Sequence, residues 1–460
     1  LKNKIYDIII AGGGIGALYT AYKLKKNFPK LSILILEKND YLGGRIKSSQ
    51  IAGQSLDLGA LRIPDSAKLT LKLIEDLNLE IKKFDTRIQA LYTREKLYSK
   101  KNLHKSQERF FLPENSNSDQ TAYDLLLITI LKSLKINNIN EINENQKIGS
   151  KKICNINIYN FLISKLSLEQ IAWLISSLAI DSYLNMNLFE FSQNALINHD
   201  YFVIKTDHSE FGNMTEIIKK LDINNQDVTK LLNKKIETAS FDEANLQWHI
   251  EALDIKYQKI KIFKSKIFIS TIPVFAMHGL KIKINETESL KKILESFTTT
   301  SRARYYLQYN YKWWQLNYGE FIHPVNERSL ILSPKSSIIL ASYCDENKFR
   351  LFQALTDKEL SRILHNGLCE LFNVDKNITP KPIKIIKQEW TGPDNYVRAG
   401  ITPAGNRNEI LKNLIKPFKS KPFFIISDTI TNKSGWIEGA LLSAENAFDL
   451  IGNLIKKIDC

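Results

Sequence analysis

Little in this sequence points to metal, disulfide or membrane chemistry. Only four cysteines occur, Cys154, Cys344, Cys369 and Cys460, and no two stand in a C-x-x-C pattern. That spacing offers neither a metal site nor a disulfide framework, so a reducing compartment, the cytoplasm, is expected. No apolar run approaches the roughly 18 residues that mark a membrane-spanning helix. No run of five basic residues occurs, although the formal net charge is +15. Lysines scattered in this way read as a solvated surface, so no nucleic-acid partner is expected. No segment repeats at a fixed period. The chain begins at Leu1 and not at Met, which leaves a removed leader open.

What is present is ordinary globular material, 43% hydrophobic and 25% charged over 460 residues, enough for two domains. Residues 4–10, "KIYDIII", read as a buried strand. "GGGIGALYTAYKLKK" reads as a turn and a helix, and "LSILILE", 31–37, as a second buried strand. Together they make a βαβ unit. A helix is expected from Pro64, with Leu69, Leu73 and Leu77 on one face and Asp65 and Ser66 in its first turn. Residues 121–134 and 158–180 read as helices, and the Asn-rich stretch 136–150 as a mobile loop. Strand-like patterns fill much of 236–350, and a strand at 422–426 precedes a closing helix at 438–457.

The sharpest chemical signal is Gly12-Gly13-Gly14-Ile15-Gly16-Ala17, between the first strand and its helix. Gly12 permits the tight turn, Gly14 lets backbone approach a pyrophosphate, and Ala17 lets helix and strand pack closely. The helix start supplies free N–H groups and partial positive charge to the phosphates. Glu37 ends the next strand, 25 residues after Gly12. A carboxylate there accepts hydrogen bonds from a ribose diol and repels a 2′-phosphate.

The next segments narrow the reading. "EKNDYLGGRI" places Gly43-Gly44-Arg45 after Glu37, and "LDLGALRIP" follows at 56–64. Here the chain resembles the flavin-containing amine oxidase superfamily, which implies FAD as cofactor and no metal. The glycine pair suits close backbone approach, and Arg45 suits a second pyrophosphate contact. The C-terminal "FFIISDTITNKSGWIEGALL" is similar to that superfamily's closing strand, acidic turn, Gly-Trp and helix. The resemblance makes Asp428 a ribityl contact and aims the helix starting near Ile437 at the flavin, where its dipole favours the reduced ring. Ile426-Ser427-Asp428 stands where many members have Ala-Gly-Glu, and the Ser-Asp pair is similar to a tryptophan-monooxygenase-like branch. The cofactor-binding residues so implied are Gly12, Gly14, Ile15, Gly16, Ala17, Glu37, Lys38, Gly44, Arg45, Gly59, Ala60, Leu61, Arg62, Ile236, Trp390, Asp428, Gly435, Trp436, Ile437 and Ala440. Among them, Ile236 matches a backbone contact to adenine and Trp390 an aromatic near the isoalloxazine.

Arg62, in "GALRIP", resembles the arginine that holds the substrate α-carboxylate in L-amino-acid oxidases and related monooxygenases. A planar fork meets a carboxylate bidentately. Tyr343, in "IILASYCDENKF", resembles the tyrosine that bonds the same carboxylate. Trp436 resembles an aromatic wall of the amine pocket, and His199 lies in a segment loosely similar to one with a substrate-side histidine. Arg304 stands where many members carry a lysine near flavin N5. It keeps the charge but is bulkier and always ionised, which implies slower reaction with dioxygen.

The expected protein is therefore α/β. A discontinuous Rossmann-like, doubly wound FAD domain comprises 1–65, 210–270 and 385–460. A mixed-sheet substrate domain comprises 66–209 and 271–384, with a helical insertion around 105–200. The resemblance implies hydride transfer from Cα of an L-amino acid, aromatic or large and apolar, to FAD, with Arg304 and Trp436 at the reacting centre and dioxygen as final acceptor. An oxidase and a monooxygenase outcome both stay open, as does a homodimer. The alternatives are an amine or polyamine oxidase without carboxylate recognition, and a flavin-binding protein without turnover.

Overall fold

The computed structural model describes residues 4–84, 90–93, 96–99, 122–178, 180, 183–184, 186–195, 200–206, 212–284, 287–295, 297–314, 337–391, 398–401, 411, 413–431 and 433–458. The chain divides into two compact units. The first comprises Leu1–Phe84, His199–Thr299 and Thr391–Cys460, and the second Asp85–Asn198 and Thr300–Trp390. The first unit thus runs further along the chain than the 1–65 and 210–270 segments expected for the FAD domain. The reason is an antiparallel ribbon in which Tyr201–Ile204 pairs with Ile81–Phe84 and with Ile63–Pro64.

The elements that position the site are, in chain order, β1 (Ile5–Ala11), α1 (Ile15–Asn27), β2 (Ile33–Leu36), β3 (Ile63–Pro64), α2 (Lys68–Asp76), β4 (Ile81–Phe84) and β5 (Tyr201–Ile204). There follow α3 (Thr215–Asn224), β6 (Thr229–Leu231), β7 (Lys234–Asp242), β8 (Gln247–Asp254), β9 (Lys259–Ser270), β10 (Arg302–Gln308) and β11 (Ile338–Asp345). Last come α4 (Asp357–Phe372), β12 (Lys384–Trp390), β13 (Phe423–Ile425) and α5 (Ile437–Ile458).

β1 lies at the middle of a parallel group, with β2 on one side and β9 on the other; β6 extends it past β2, and β13 pairs with β9. β7 and β8 continue from β9 as an antiparallel meander. The continuous apolar runs follow from burial of both sheet faces. Ile8, Ile10, Ile33, Ile35, Ile267, Ile269 and Phe424 pack with the helices α1, α2, α3 and α5 on one face. Ile9, Ala11, Leu34, Leu36, Phe268, Phe423 and Ile425 pack on the other. The alternation is the two-residue period of a strand read in three dimensions. The expected α/β class and Rossmann-like architecture are therefore observed.

Three local expectations need correction. α2 starts at Lys68, not at Pro64, because the Asp65 amide donates to the Asp200 carbonyl and holds 63–65 extended against β5. The helix expected over 158–180 is two, Ile158–Ile163 and Leu168–Leu178. Ser167 and Gln170 exchange side-chain and backbone hydrogen bonds and start the second one afresh. The stretch 136–150 holds a 3-10 turn, Ile139–Glu141, and one strand of a short hairpin turning at Gly149.

In the second unit, β10 is the middle strand of an antiparallel sheet with β11 and β12. Beneath it, Tyr309 and His365 share a 3.0 Å hydrogen bond, and Cys369 lies 3.6 Å from the same ring. Burial, with the Lys381 charge adding to it, holds His365 below the ordinary imidazole range, and burial pushes the Cys369 thiol up. A neutral thiol is a poor nucleophile, so this cluster reads as packing. The His365 shift has a sign that can be tested. The native state takes up the proton less readily than the unfolded chain, so stability is present above about pH 6.5 and is lost as pH falls below that value through the lower native one. Urea midpoints should fall between pH 7.5 and pH 5, and should fall less in His365→Gln. Equal losses in both proteins would contradict the assignment.

Candidate dinucleotide and carboxylate site

The glycine-rich turn is built by its backbone. The Gly12 amide donates to the Leu36 carbonyl at 2.8 Å, which joins the end of β1 to the end of β2. Gly12 has φ +92°, a region where a side chain is strained. Gly14 differs from it: a Cβ built there meets no atom within 4 Å. Gly14 also precedes α1 without a side-chain cap, and no acidic residue lies in that helix's first turn. The amides of Ile15, Gly16 and Ala17 therefore begin a helix whose positive end faces no protein anion from its own first turn. Open space over Gly14 beside uncapped amides fits a pyrophosphate.

Glu37 lies against this turn. It is 5% exposed, and its Oε2 accepts from the Gly13 amide at 2.6 Å and its Oε1 from the Asn39 amide at 2.8 Å. Burial raises its carboxyl above the usual range, while the two amides and Lys38 act in the opposite direction. A carboxylate offers about four acceptor positions, so two bonds leave capacity for a ribose diol. Ile236 is brought to the same corner, because the Lys234 amide donates to the Glu37 carbonyl.

The second glycine turn packs on the first. The Gly43 amide donates to the Gly13 carbonyl at 2.8 Å, and a Cβ on Gly44 would lie 3.5 Å from the Gly14 Cα. Gly43 and Gly44 have φ of +110° and +56°. The close approach that the sequence assigns to a phosphate is thus made first to the other glycine turn. From there the Ala60 amide donates to the Arg45 carbonyl and the Gly59 amide to the Lys47 carbonyl, which carries the chain through Leu61 to Arg62.

The C-terminal segment enters at Asp428. This carboxylate, 2% exposed, accepts from Arg45 Nη2 at 2.5 Å and from the Gly435 amide at 2.7 Å. Gly435, with φ +79°, turns the chain into Trp436 and α5. In the first turn of α5, Glu438 is 5% exposed and accepts from the amides of Leu69 and Thr70, at 3.0 and 2.8 Å, and from Thr70 Oγ1 at 2.8 Å. The carboxylate of one helix thereby caps the start of α2, whose own N-cap, Ala67, has no side-chain acceptor. Ala440 and Gly16 sit close where α5 crosses α1.

Above this frame three side chains stack. The Arg62 guanidinium lies over the Tyr201 ring, 4.3 Å from its centroid, and Tyr201 is stacked with Trp436 at 6.3 Å and 19°. Arg62 has no carboxylate partner among the described residues. Arg62 and Trp436 therefore both meet the Tyr201 ring.

Arg304, Tyr343 and Trp390 fall in the second unit, on neighbouring strands of one sheet. Tyr343 lies across from Arg304, and Trp390 across from Arg302. Arg302 Nη1 donates to the Tyr343 hydroxyl at 2.6 Å, and both guanidiniums face its ring, at 5.0 and 4.9 Å. Arg304 is 7% exposed. His199 lies outside the described residues. Among the described residues no group of acids, histidines or cysteines is arranged to hold a metal.

Sequence reasoning missed Tyr201, Glu438 and Arg302. Glu438 stood in "GWIEGA" without a role, and its spacing to Trp436 was the available signal. Tyr201 and Arg302 sit in ordinary strand patterns and carried none.

Residues 10–76 match the family of NAD(P)-binding Rossmann-like domains. Three relatives illustrate the likeness. An uncharacterised protein of Acanthamoeba polyphaga mimivirus is 32% identical over 77 residues, 16% of this chain and 15% of that protein. A Dictyostelium discoideum protein named a probable flavin-containing monoamine oxidase A is 31% identical over 78 residues, 17% of each chain. The coproporphyrinogen III oxidase of Mycobacterium bovis is 33% identical over 100 residues, 21% of this chain and 20% of that protein. The matches thus span about a fifth or less of these relatives' lengths. The sheet order and the match over residues 10–76 define a protein with a Rossmann-like domain. The domain match and the monoamine oxidase relative support its place in the flavin-containing amine oxidase superfamily.

Three variants test the frame. Gly14→Ala should fold with a melting temperature within about 2 °C of the wild type, because nothing meets its Cβ, yet should bind a dinucleotide more weakly. Gly43→Ala should lose stability by about 2 kcal/mol or more, since it combines a positive φ with a Cβ 2.7 Å from the Ile46 carbonyl. Thermal unfolding and nucleotide titration separate the two. Glu438→Ala should cost about 3 kcal/mol by denaturant unfolding, and Glu438→Gln should recover part of it. A Glu438→Ala protein as stable as the wild type would contradict the capping role.

Proposed function

We propose that this protein is an FAD-dependent oxidoreductase acting on the α-amino group of an L-amino acid. The observation that carries the reading is Arg62, a guanidinium without a carboxylate partner among the described residues, resting on the Tyr201 ring that also stacks with Trp436. A half-buried cation of this kind favours a ligand that brings a carboxylate, and a planar fork grips it in one orientation.

FAD, when bound, supplies the hydride acceptor. The open space at Gly14 and the amides of Ile15–Ala17 suit its pyrophosphate, and Glu37 suits its adenosine ribose. Asp428, already bonded to Arg45 and Gly435, suits a hydroxyl of the ribityl chain. The protein's own contribution to the reaction is placement. Arg62 fixes the carboxylate, and with it the direction of the Cα–H bond. The Trp436 indole excludes water from the reacting face. If the amine enters neutral, no strong general base is needed. Arg304 keeps a permanent positive charge where a lysine is common in the superfamily, so slow reaction with dioxygen is expected. Aromatic walls favour an aromatic or large apolar side chain.

A second reading has a specific support. The two named enzymes among the relatives are called a monoamine oxidase and a coproporphyrinogen oxidase, and neither name specifies an α-amino acid. An amine substrate would leave Arg62 without its anion.

Anaerobic mixing with a panel of L-amino acids and simple amines decides between the readings. Bleaching of the flavin band by amino acids, with Arg62→Ala raising KM at least tenfold while flavin content is unchanged, is the expected result. Bleaching by amines alone, indifferent to Arg62→Ala, would overturn it.

A further inference from the structure

We propose that Tyr201 is a positioning residue for carboxylate recognition: its ring is the platform that holds the Arg62 guanidinium in the plane a substrate carboxylate must meet. The inference rests on the proposed reading of Arg62 as the carboxylate-binding residue and adds the element that orients it.

The backbone places the ring with little freedom. Tyr201 opens β5 and sits directly opposite Pro64 of β3 on one side and Phe84 of β4 on the other. Side chains two residues apart on an extended segment share a face, so Arg62 and Pro64 lie on the Tyr201 side. Pro64 has a fixed φ and restrains Ile63 to the extended region, which keeps Arg62 from turning away. The bond from the Asp65 amide to the Asp200 carbonyl locks the same register one residue later. Trp436 is brought to the same ring by the Asp428–Gly435 bond and by the Glu438 cap on α2. The result is a phenol ring that meets both a cation and an indole, at 4.3 and 6.3 Å.

This order has a chemical consequence. A long arginine side chain has several rotatable bonds, and ordering it on ligand binding costs entropy. A cation resting on a π face is held electrostatically without using its N–H groups. The guanidinium sits 4.3 Å from the ring centroid and meets no carboxylate among the described residues, so its donors remain for a substrate carboxylate. A carboxylate from the protein would hold Arg62 equally well, but it would neutralise the charge and consume the donors. Tyr201 achieves the fixing and leaves the binding capacity intact. It also couples the carboxylate grip to Trp436, since both rest on one ring.

The test uses the flavin-loaded full chain and benzoate, a flat carboxylate with no amine to oxidise. Its uncharged isostere, benzamide, serves as control. Binding is read from the shift of the visible flavin spectrum, with flavin content measured beside it. Wild type should bind benzoate at least tenfold more tightly than benzamide. Tyr201→Leu should weaken benzoate at least tenfold and leave benzamide within threefold. Tyr201→Phe, which keeps the ring, should stay within threefold of wild type for both. Tyr201→Met is a second ring-free variant if the leucine protein does not fold, and Tyr201→Phe against wild type isolates the hydroxyl. Two results overturn the platform. One is benzoate binding in the ring-free variant within twofold of wild type. The other is Tyr201→Phe losing benzoate as fully as the ring-free variant. If Arg62→Ala leaves benzoate unaffected, or wild type does not prefer it to benzamide, carboxylate recognition fails and the platform with it. Loss on Arg62→Ala without loss on removing the ring would spare the carboxylate reading and refute only the role of Tyr201.

Discussion

Carboxylates buried inside the first unit and answered by amides from distant parts of the chain are the constraint on which its site depends. Glu438 is the clearest case, since its two oxygens take three hydrogen bonds from residues almost 370 positions earlier. Glu37 takes the Gly13 and Asn39 amides, Asp428 takes Arg45 and the Gly435 amide, and Asp57 takes the Met214 amide and the Ser48 hydroxyl. Desolvating a carboxylate costs several kcal/mol unless it is compensated, so each acid is tolerated only while its partner segment stays in place. Four such acids stitch together segments that the sequence separates. The glycine turns, the Arg62 segment and the Trp436 turn are therefore held in one relation that none of them could hold alone.

That arrangement explains which parts of the molecule could be read in advance. The βαβ unit was legible because it is local: apolar runs bounded by Gly12–Gly14 describe a few dozen consecutive residues. Gly12 has the positive φ its position suggested, and Gly14 has open space over it. The closing strand and helix were legible for the same reason. The start of α2 was misplaced because Asp65 is engaged by β5, which lies more than a hundred residues later. Ser167 looked like a polar interruption of one helix, but it opens a second. Tyr201 could not be read at all. Nothing in "YFVI" distinguishes this residue from any strand tyrosine, and the role proposed for it rests on the contacts it makes with Arg62 and Trp436.

The two units use arginine in different ways. Arg62 rests on a ring with its donors uncommitted to any carboxylate among the described residues. Arg302 and Arg304 both face Tyr343, and one of them donates to its hydroxyl. A hydroxyl that accepts from a guanidinium is polarised to donate, which suits the carboxylate role proposed for Tyr343 from resemblance. The exchange of a usual lysine for Arg304 belongs with this cluster. A guanidinium packs flat against a ring in a way that a compact ammonium does not.

The central claim is that the glycine turns, Glu37 and the Asp428 segment form one site for a flavin dinucleotide with an unsubstituted ribose. The most direct measurement is to release the bound nucleotide from purified protein by heat and identify it by mass. The account predicts FAD, close to one per chain. Recovery of NADP, whose 2′-phosphate Glu37 should repel, or of FMN, which has no second phosphate for two glycine turns to hold, would contradict it.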